Sequence, residues 1–316
     1  MNKFLLMLFS LCLEAACMQV PLTPRADVTL RLRAGEATRS LLPDEELISD
    51  LNLLIYTEEG LLVEQRYLSE RLLQGGRTEL VLRCSLLRGV HYTMAVCANL
   101  GYALPALPLE ELRAWRYPLT YPDEYTHGMP MSLLTDCLVP PDTDLVVDLP
   151  LERAMARIDL QLDRSGLNPD VALTIESVHA GGCPASVSLF RKSRALGADD
   201  VFSSGFFLDD SQCQPLNRRG DGGKSGIVPV YLLENCQGTL PHGGPACSWI
   251  ELWASYHSLL WHTPPGEHLT YRFYLGEEEG RYDLVRNTVY RYTVRPEGDG
   301  LKTEGWRLDK DCLVEF

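Results

Sequence analysis

Positive charge is scarce in this chain: 29 lysines and arginines stand against 43 aspartates and glutamates, a formal net charge of −14. Neutralising a phosphate backbone needs a basic face, so nucleic acid is excluded as a partner and the acidic surface serves solubility. Long apolar runs are lacking too. The longest, from Phe4 to Leu13 in "MNKFLLMLFSLCLEAAC", is too short to cross a bilayer as a helix. There is no Cys-x-x-Cys pair, and His91, His127, His179, His242, His257, His262 and His268 are scattered without helical metal-pair spacing. They read as surface loop histidines, so neither a metal nor a cofactor is expected. No serine sits in a Gly-x-Ser-x-Gly elbow. The stretch "RGDGGKSG" (Arg219 to Gly226) fails as a phosphate loop, because Arg218 stands where the first glycine is required. With no catalytic set to name, the chain does not read as an enzyme.

What is present begins with Lys3, the apolar run and the small residues Ala15 and Ala16, the order of a secretory leader over residues 1–16. Cys17 follows directly, which resembles the lipobox of bacterial lipoproteins and implies acylation of Cys17, although Glu14 stands where such boxes prefer an apolar residue. Ordinary secretion with a cut near Ala16 stays open. Export permits disulfides. Cys84 and Cys97 lie in alternating apolar stretches and read as small core residues, whereas Cys213, Cys236 and Cys247 lie in or beside Gly/Pro-rich loops, where a bridge is more plausible.

Apolar residues alternate with polar ones throughout. Val28, Leu30 and Leu32 share one face of "DVTLRLR", and the same period recurs in "DLNLLIY", "RIDLQLD", "VALTIES" and "YRFYL". Such stretches are strands of antiparallel sheets with one face wet. Gly, Asp, Asn and Pro punctuate them, and helical pieces such as "EELISD" and "LEELRAW" are a turn or two long. The expectation is an all-β chain of β-sandwiches with short helices. Its 316 residues exceed what one hydrophobic core usually spans, so two tandem domains are expected, 17–149 and 150–316, parted near Pro150. The halves are weakly alike, each opening with an alternating strand ("VTLRLRA", "RIDLQLD") and later carrying a Tyr-led one ("YTMAV", "YRYTV"). In "SWIELWASYHSLLWH", Ile250, Leu252, Ala254 and Tyr256 share a face opposite Trp249, Glu251, Trp253 and Ser255. Exposed Trp249 and Trp253 would suit sugar stacking, against the plainer reading that at least one is buried beneath a loop.

Five segments in order, "DEELISDLNLLIYTEEGLLVEQRYL", "RGVHYTMAVCANLGY", "LPLERAMARIDLQL", "VYLLENCQG" and "TYRFYLGEEEGRYDLVRNTVYRYTV", resemble the fimbrillin superfamily of Bacteroidetes, the lipoprotein-derived pilins of type V fimbriae and their anchor and tip relatives. The resemblance implies two tandem transthyretin-like antiparallel β-sandwiches and a lipid on Cys17 that ties the chain to the cell outer membrane. It also implies a structural subunit or anchor that supports adhesion, with other fimbrial subunits as partners and a host or bacterial receptor beyond them. In stalk members an arginine-specific protease removes the first strand, and a neighbour's terminal strand fills the groove. Carried over, the removable strand is "ADVTLRLRA", the cut falls between Arg39 and Ser40, and the donor is the tail "WRLDKDCLVEF", where Cys312, Val314 and Phe316 alternate. The short tether from Cys17 suits an anchor that keeps its first strand at least as well. Glu234-Asn235 reads as a turn after a buried run, and Arg286-Asn287 as the entrance of a late strand. The alternative function is a surface glycan-binding lipoprotein stacking sugars on Trp249, Trp253 and Trp261.

Overall fold

The computed structural model describes residues 24–314 except 35–42, 122–124, 126, 203–206, 261–266, 277–279 and 301–305; at 43, 44, 207 and 306–314 it describes the backbone alone. Strands dominate. The first half runs β1 (Arg25–Ala34), β2 (Leu51–Thr57), β3 (Leu62–Leu68), β4 (Glu79–Leu87), β5 (His91–Ala98), the short β6 (Arg116–Pro118), β7 (Met131–Leu138) and β8 (Leu145–Arg153). The second opens with β9 (Met155–Asp163), β10 (Val171–Gly181) and the short β11 (Cys183–Pro184), β12 (Ser186–Ser188), β13 (Val201–Phe202) and β14 (Phe207–Leu208). It continues with β15 (Lys224–Leu233), β16 (Asn235–Thr239), β17 (Trp249–Ser258), β18 (Glu267–Tyr274), β19 (Arg281–Leu284), β20 (Thr288–Pro296) and β21 (Trp306–Val314).

Each half closes two layers over one core. In the first, β3-β2-β5-β7 faces β8-β1-β4, and the layers join where Met131 and Ser132 of β7 meet Arg153 and Glu152 of β8. In the second, β14-β10-β17-β18 faces β15-β9-β20-β21. The alternation read from "DVTLRLR" is realised: Val28, Leu30 and Leu32 are buried against Leu53, Ile55, Met94 and Val96. Ile158, Leu160, Tyr290 and Tyr292 meet Ile250 and Leu252 in the other core.

The halves match strand for strand. β1, β2, β3, β4, β5, β7 and β8 occupy the places of β9, β10, β14, β15, β17, β18 and β20, and in both the first strand pairs in parallel with the last, β1 with β8 and β9 with β20. The other ladders are antiparallel. The likeness of "VTLRLRA" to "RIDLQLD" therefore marks equivalent strands, whereas "YTMAV" (β5) and "YRYTV" (β20) occupy different places and share only strand composition.

Three local expectations are corrected. β2 has no wet face: Leu54 and Tyr56 are buried, with Ala95 and Cys97 of its neighbour β5, in a third cluster with Leu104, Leu112, Val187, Leu189 and Leu233, which draws on both halves; nor has β9, since Arg157, Asp159 and Asp163 on its polar side are buried. Helix and loop segments roof that face of β2, so alternation gives way to continuous burial. Cys84, Cys97, Cys137, Cys213, Cys236 and Cys247 are buried and free, so the bridge expected near Cys213, Cys236 and Cys247 does not form. Burial pushes the Cys236 thiol up to about 12, which leaves it inert. A helix over Asp210–Asn217 was not expected, because Pro215 lies inside it; Asp209 and Gln212 start it with a reciprocal capping box. "RGDGGKSG" forms a 3-10 turn over Asp221–Gly223 that enters β15, as befits a loop.

Candidate functional site

β1 lies in a slot. Nine of its residues pair antiparallel with β4 (Arg25↔Leu87 to Arg33↔Glu79) and Val28 to Ala34 pair in parallel with β8, so both edges of its backbone are used. Ala26, Val28, Leu30, Leu32 and Ala34 point into the core. The segment after β1, which holds Arg39 and Ser40, lies outside the described residues, as do Cys17, Phe316 and Trp261.

The tail is held differently. Among the described residues β21 is an edge strand bonded to β20 alone, with Cys312 opposite Tyr290 and Val314 opposite Thr288. One strand is thus enclosed by two ladders, and the other hangs on one.

Within the second half, the turn at Glu234-Asn235 and the strand entrance at Arg286-Asn287 come together. The Arg286 guanidinium donates to Glu234 Oε2 (2.7 and 2.9 Å) and to the carbonyls of Ser188 (2.5 Å), Leu189 (2.9 Å) and Arg191 (2.9 Å). The same Glu234 oxygen accepts Ser193 N–H at 2.8 Å. Glu234 is buried at 2% exposure, and Arg286 is the cation placed against it. Asn235 donates to Ala246 O (2.8 Å) and Ser248 Oγ (3.0 Å) and accepts from Ala195 N–H (3.1 Å). Asn287, at φ 52, adopts the left-handed turn that Asn tolerates. Its side chain accepts from Arg153 Nη1 at 3.2 Å instead of bonding nearby backbone.

A second buried cluster fastens the chain just beyond the Arg39-Ser40 segment. Glu45 accepts from Arg157 Nη1 (3.3 Å) and from the Tyr231 hydroxyl, and its carbonyl accepts from Arg153 Nε (3.1 Å). Burial, then the hydrogen bond to Glu45, pushes the Tyr231 phenol up. Burial opposes the Arg157 charge, but Asp159 (2.7 Å) and Glu45 outweigh it and hold the guanidinium charged. The start of the β2 segment is therefore pinned to β9 and β15, and loss of β1 would not free it.

The outer face of β10-β17-β18 carries an aromatic and charged patch, with the row division expected for "SWIELWASYHS". Trp249 lies flat on Gly181, where a Cβ would come within 2.0 Å of the ring, and the Arg272 guanidinium covers it at 4.0 Å. Trp253 is 45% exposed. Its Nε1 donates to Glu251 Oε1 (2.6 Å), and the His179 ring packs on it at 4.7 Å. Burial opposes ionisation of Glu251, but the bonds from Trp253 and Arg272 outweigh it and hold the carboxyl below its usual range. Of the histidines expected in loops, His91, His179, His257 and His268 lie in strands. Among the described residues no His/Cys/Asp/Glu group forms a metal cluster.

The family model for a domain of unknown function, DUF4906, matches residues 230–294, a span that contains both partners of the Glu234–Arg286 pair. The sequence matches no curated protein. Solved structures are similar over nearly the whole chain. The tip fimbrial protein Mfa3 of Porphyromonas gingivalis with C-terminal truncation superposes with a TM-score of 0.61 at 13% identity, covering 92% of this chain and 99% of that one. A fimbrilin, FimA, of P. gingivalis W83 gives 0.56 at 14% identity over 91% and 96% of the two chains. A fimbrial assembly protein of Parabacteroides distasonis gives 0.53 at 12% identity over 91% and 99%. With its tandem sandwiches and these neighbours, the chain has the fimbrillin-like fold of Bacteroidetes fimbrial proteins.

Proposed function

We propose that the chain is a non-enzymatic structural subunit or anchor of a type V fimbrium, lipid-anchored through Cys17 at the outer membrane and joined to other subunits by strand addition. It serves adhesion, with a surface receptor at the far end of the assembly. The two sandwiches part between Arg153, the end of β8, and Met155, the start of β9, a few residues past the boundary expected near Pro150. The observation that carries this reading is β1: an amphipathic strand enclosed between β4 and β8, with Arg39-Ser40 five residues past its end and Glu45 fastening the chain beyond that segment. A strand so placed is removable as a unit, and its slot is shaped for another strand of the same alternation. The tail, with Cys312, Val314 and Phe316, is the donor, since it is an edge strand held by one ladder.

Mass spectrometry of the mature N-terminus from the native host tests this. A start at acylated Cys17 with β1 retained identifies an anchor or a glycan-binding lipoprotein and excludes a stalk subunit, and a start at Ser40 identifies a polymerising subunit. An unacylated start at Cys17, or one elsewhere, removes the support for both.

A second reading is favoured by Trp253, an exposed indole held rigidly by Glu251 and His179. Pre-organised aromatic faces suit the C–H face of a pyranose. If the patch binds saccharides, Trp253→Ala abolishes the fluorescence change produced by a panel of neutral oligosaccharides. Binding unchanged in the variant, or absent from the parent, removes this reading.

A further inference from the structure

The match between the halves breaks at one place. In the second half the strand next to β20, on the side away from β9, is the tail β21, paired over nine residues from Thr288↔Val314 to Pro296↔Trp306. In the first half the corresponding position, next to β8 and away from β1, holds no strand along Leu145–Leu151 among the described residues. β7 touches β8 at Arg153 and Glu152 and then leaves to follow β5. The backbone of residues 145–151 is bonded through the β1 ladder, and no ladder among the described residues uses its other edge.

β8 has the chemistry of an edge strand. Leu149 and Leu151 are fully buried beneath it, while Val146 is 52% exposed, and Asp148 and Pro150 are also exposed. A proline inside a strand marks an edge, and an exposed charge with a proline deters indiscriminate pairing. The edge, without a ladder among the described residues, is thus also selective.

We propose that the outer edge of β8, residues 145–151, accepts the tail 306–314 of a second copy while β1 stays in place. The occupant is argued from the chain itself: this same tail already covers the equivalent edge of β20, next to a strand that pairs in parallel with its sandwich's first strand. Moving the tail from β20 to a neighbour's β8 exchanges one edge ladder for another, so the step is close to neutral in hydrogen bonds and responds to local concentration. It also gives a subunit that retains β1, as an anchor does, a site for the next subunit without proteolysis. The inference rests on the strand-addition reading but differs from it in the acceptor.

Hydrogen exchange with mass spectrometry separates the two. The full chain with β1 retained is mixed with an excess of a synthetic peptide of residues 305–316, alongside the same peptide N-methylated at alternate residues. The expected result is exchange slowed on the order of tenfold within 145–151, full protection kept in 25–34, and no effect of the methylated peptide. If the peptide leaves 145–151 unchanged in the full chain but protects 79–87 in a chain starting at Ser40, the β8 acceptor is wrong and strand addition into the β1 slot stands. Protection in neither chain overturns both. Protection confined to 288–296 means the peptide merely displaces the chain's own tail, which also overturns the β8 acceptor.

Discussion

A chain that begins at Ser40 is expected to melt about 15 °C below the chain that retains β1. Val28, Leu30 and Leu32 are each at most 1% exposed. Burial of such side chains is worth about 2 kcal/mol each, roughly 6 kcal/mol together, and 1 kcal/mol shifts Tm by about 2–4 °C in proteins of 150–250 residues. Loss of the ladders to β4 and β8 adds to this. Stability totals about 5–15 kcal/mol for typical domains, so the trimmed sandwich lies close to unfolding and must find a replacement strand. Adding a peptide of residues 25–34 in trans is expected to restore most of the lost Tm. Calorimetry of the trimmed chain, with and without the peptide, makes the check. A Tm within about 3 °C of the parent would mean that β1 is a passive cover.

Arg286→Ala is expected to cost about 3–5 kcal/mol, because it leaves the Glu234 carboxylate buried without its cation. It also strips a donor from the carbonyls of Ser188, Leu189 and Arg191. Urea unfolding of Arg286→Ala, Glu234→Ala and the double variant forms a cycle. The double variant should cost clearly less than the sum of the singles, with a coupling of about 1–3 kcal/mol. Additive losses would show that the two side chains stabilise the fold independently. An exposed position such as Val81→Ala, at 62% exposure, should stay within about 0.5 kcal/mol.

The sequence made the sandwiches legible where a strand has one buried face. "DVTLRLR" and "SWIELWASYHS" alternate as the core requires, and the period of two needs no tertiary knowledge to interpret. It misled at β2, whose second face is covered by residues distant in the chain, Leu104, Leu112 and Leu233 among them, and at β9, whose Arg157, Asp159 and Asp163 are buried. Apolar residues on both faces of "LNLLIYT" were the available signal. The Glu234–Arg286 cluster was half legible. Glu234-Asn235 and Arg286-Asn287 stood out as polar pairs at strand ends, but a pairing across 52 residues leaves no local trace. Asp209 and Gln212 announced the missed helix by their spacing, which Pro215 obscured. The open edge of β8 was invisible, because it becomes apparent when the halves are compared in topology and one lacks a neighbour the other has.

Strand addition is the central claim, and its most direct test is fimbriae sheared from the native host and labelled with an antibody to this chain. The account predicts label on the fimbriae or at their bases, and loss of that label when residues 306–316 are deleted while the shortened protein is still exported. Label confined to the cell surface away from fimbriae, or fimbrial label unchanged by the deletion, would contradict it.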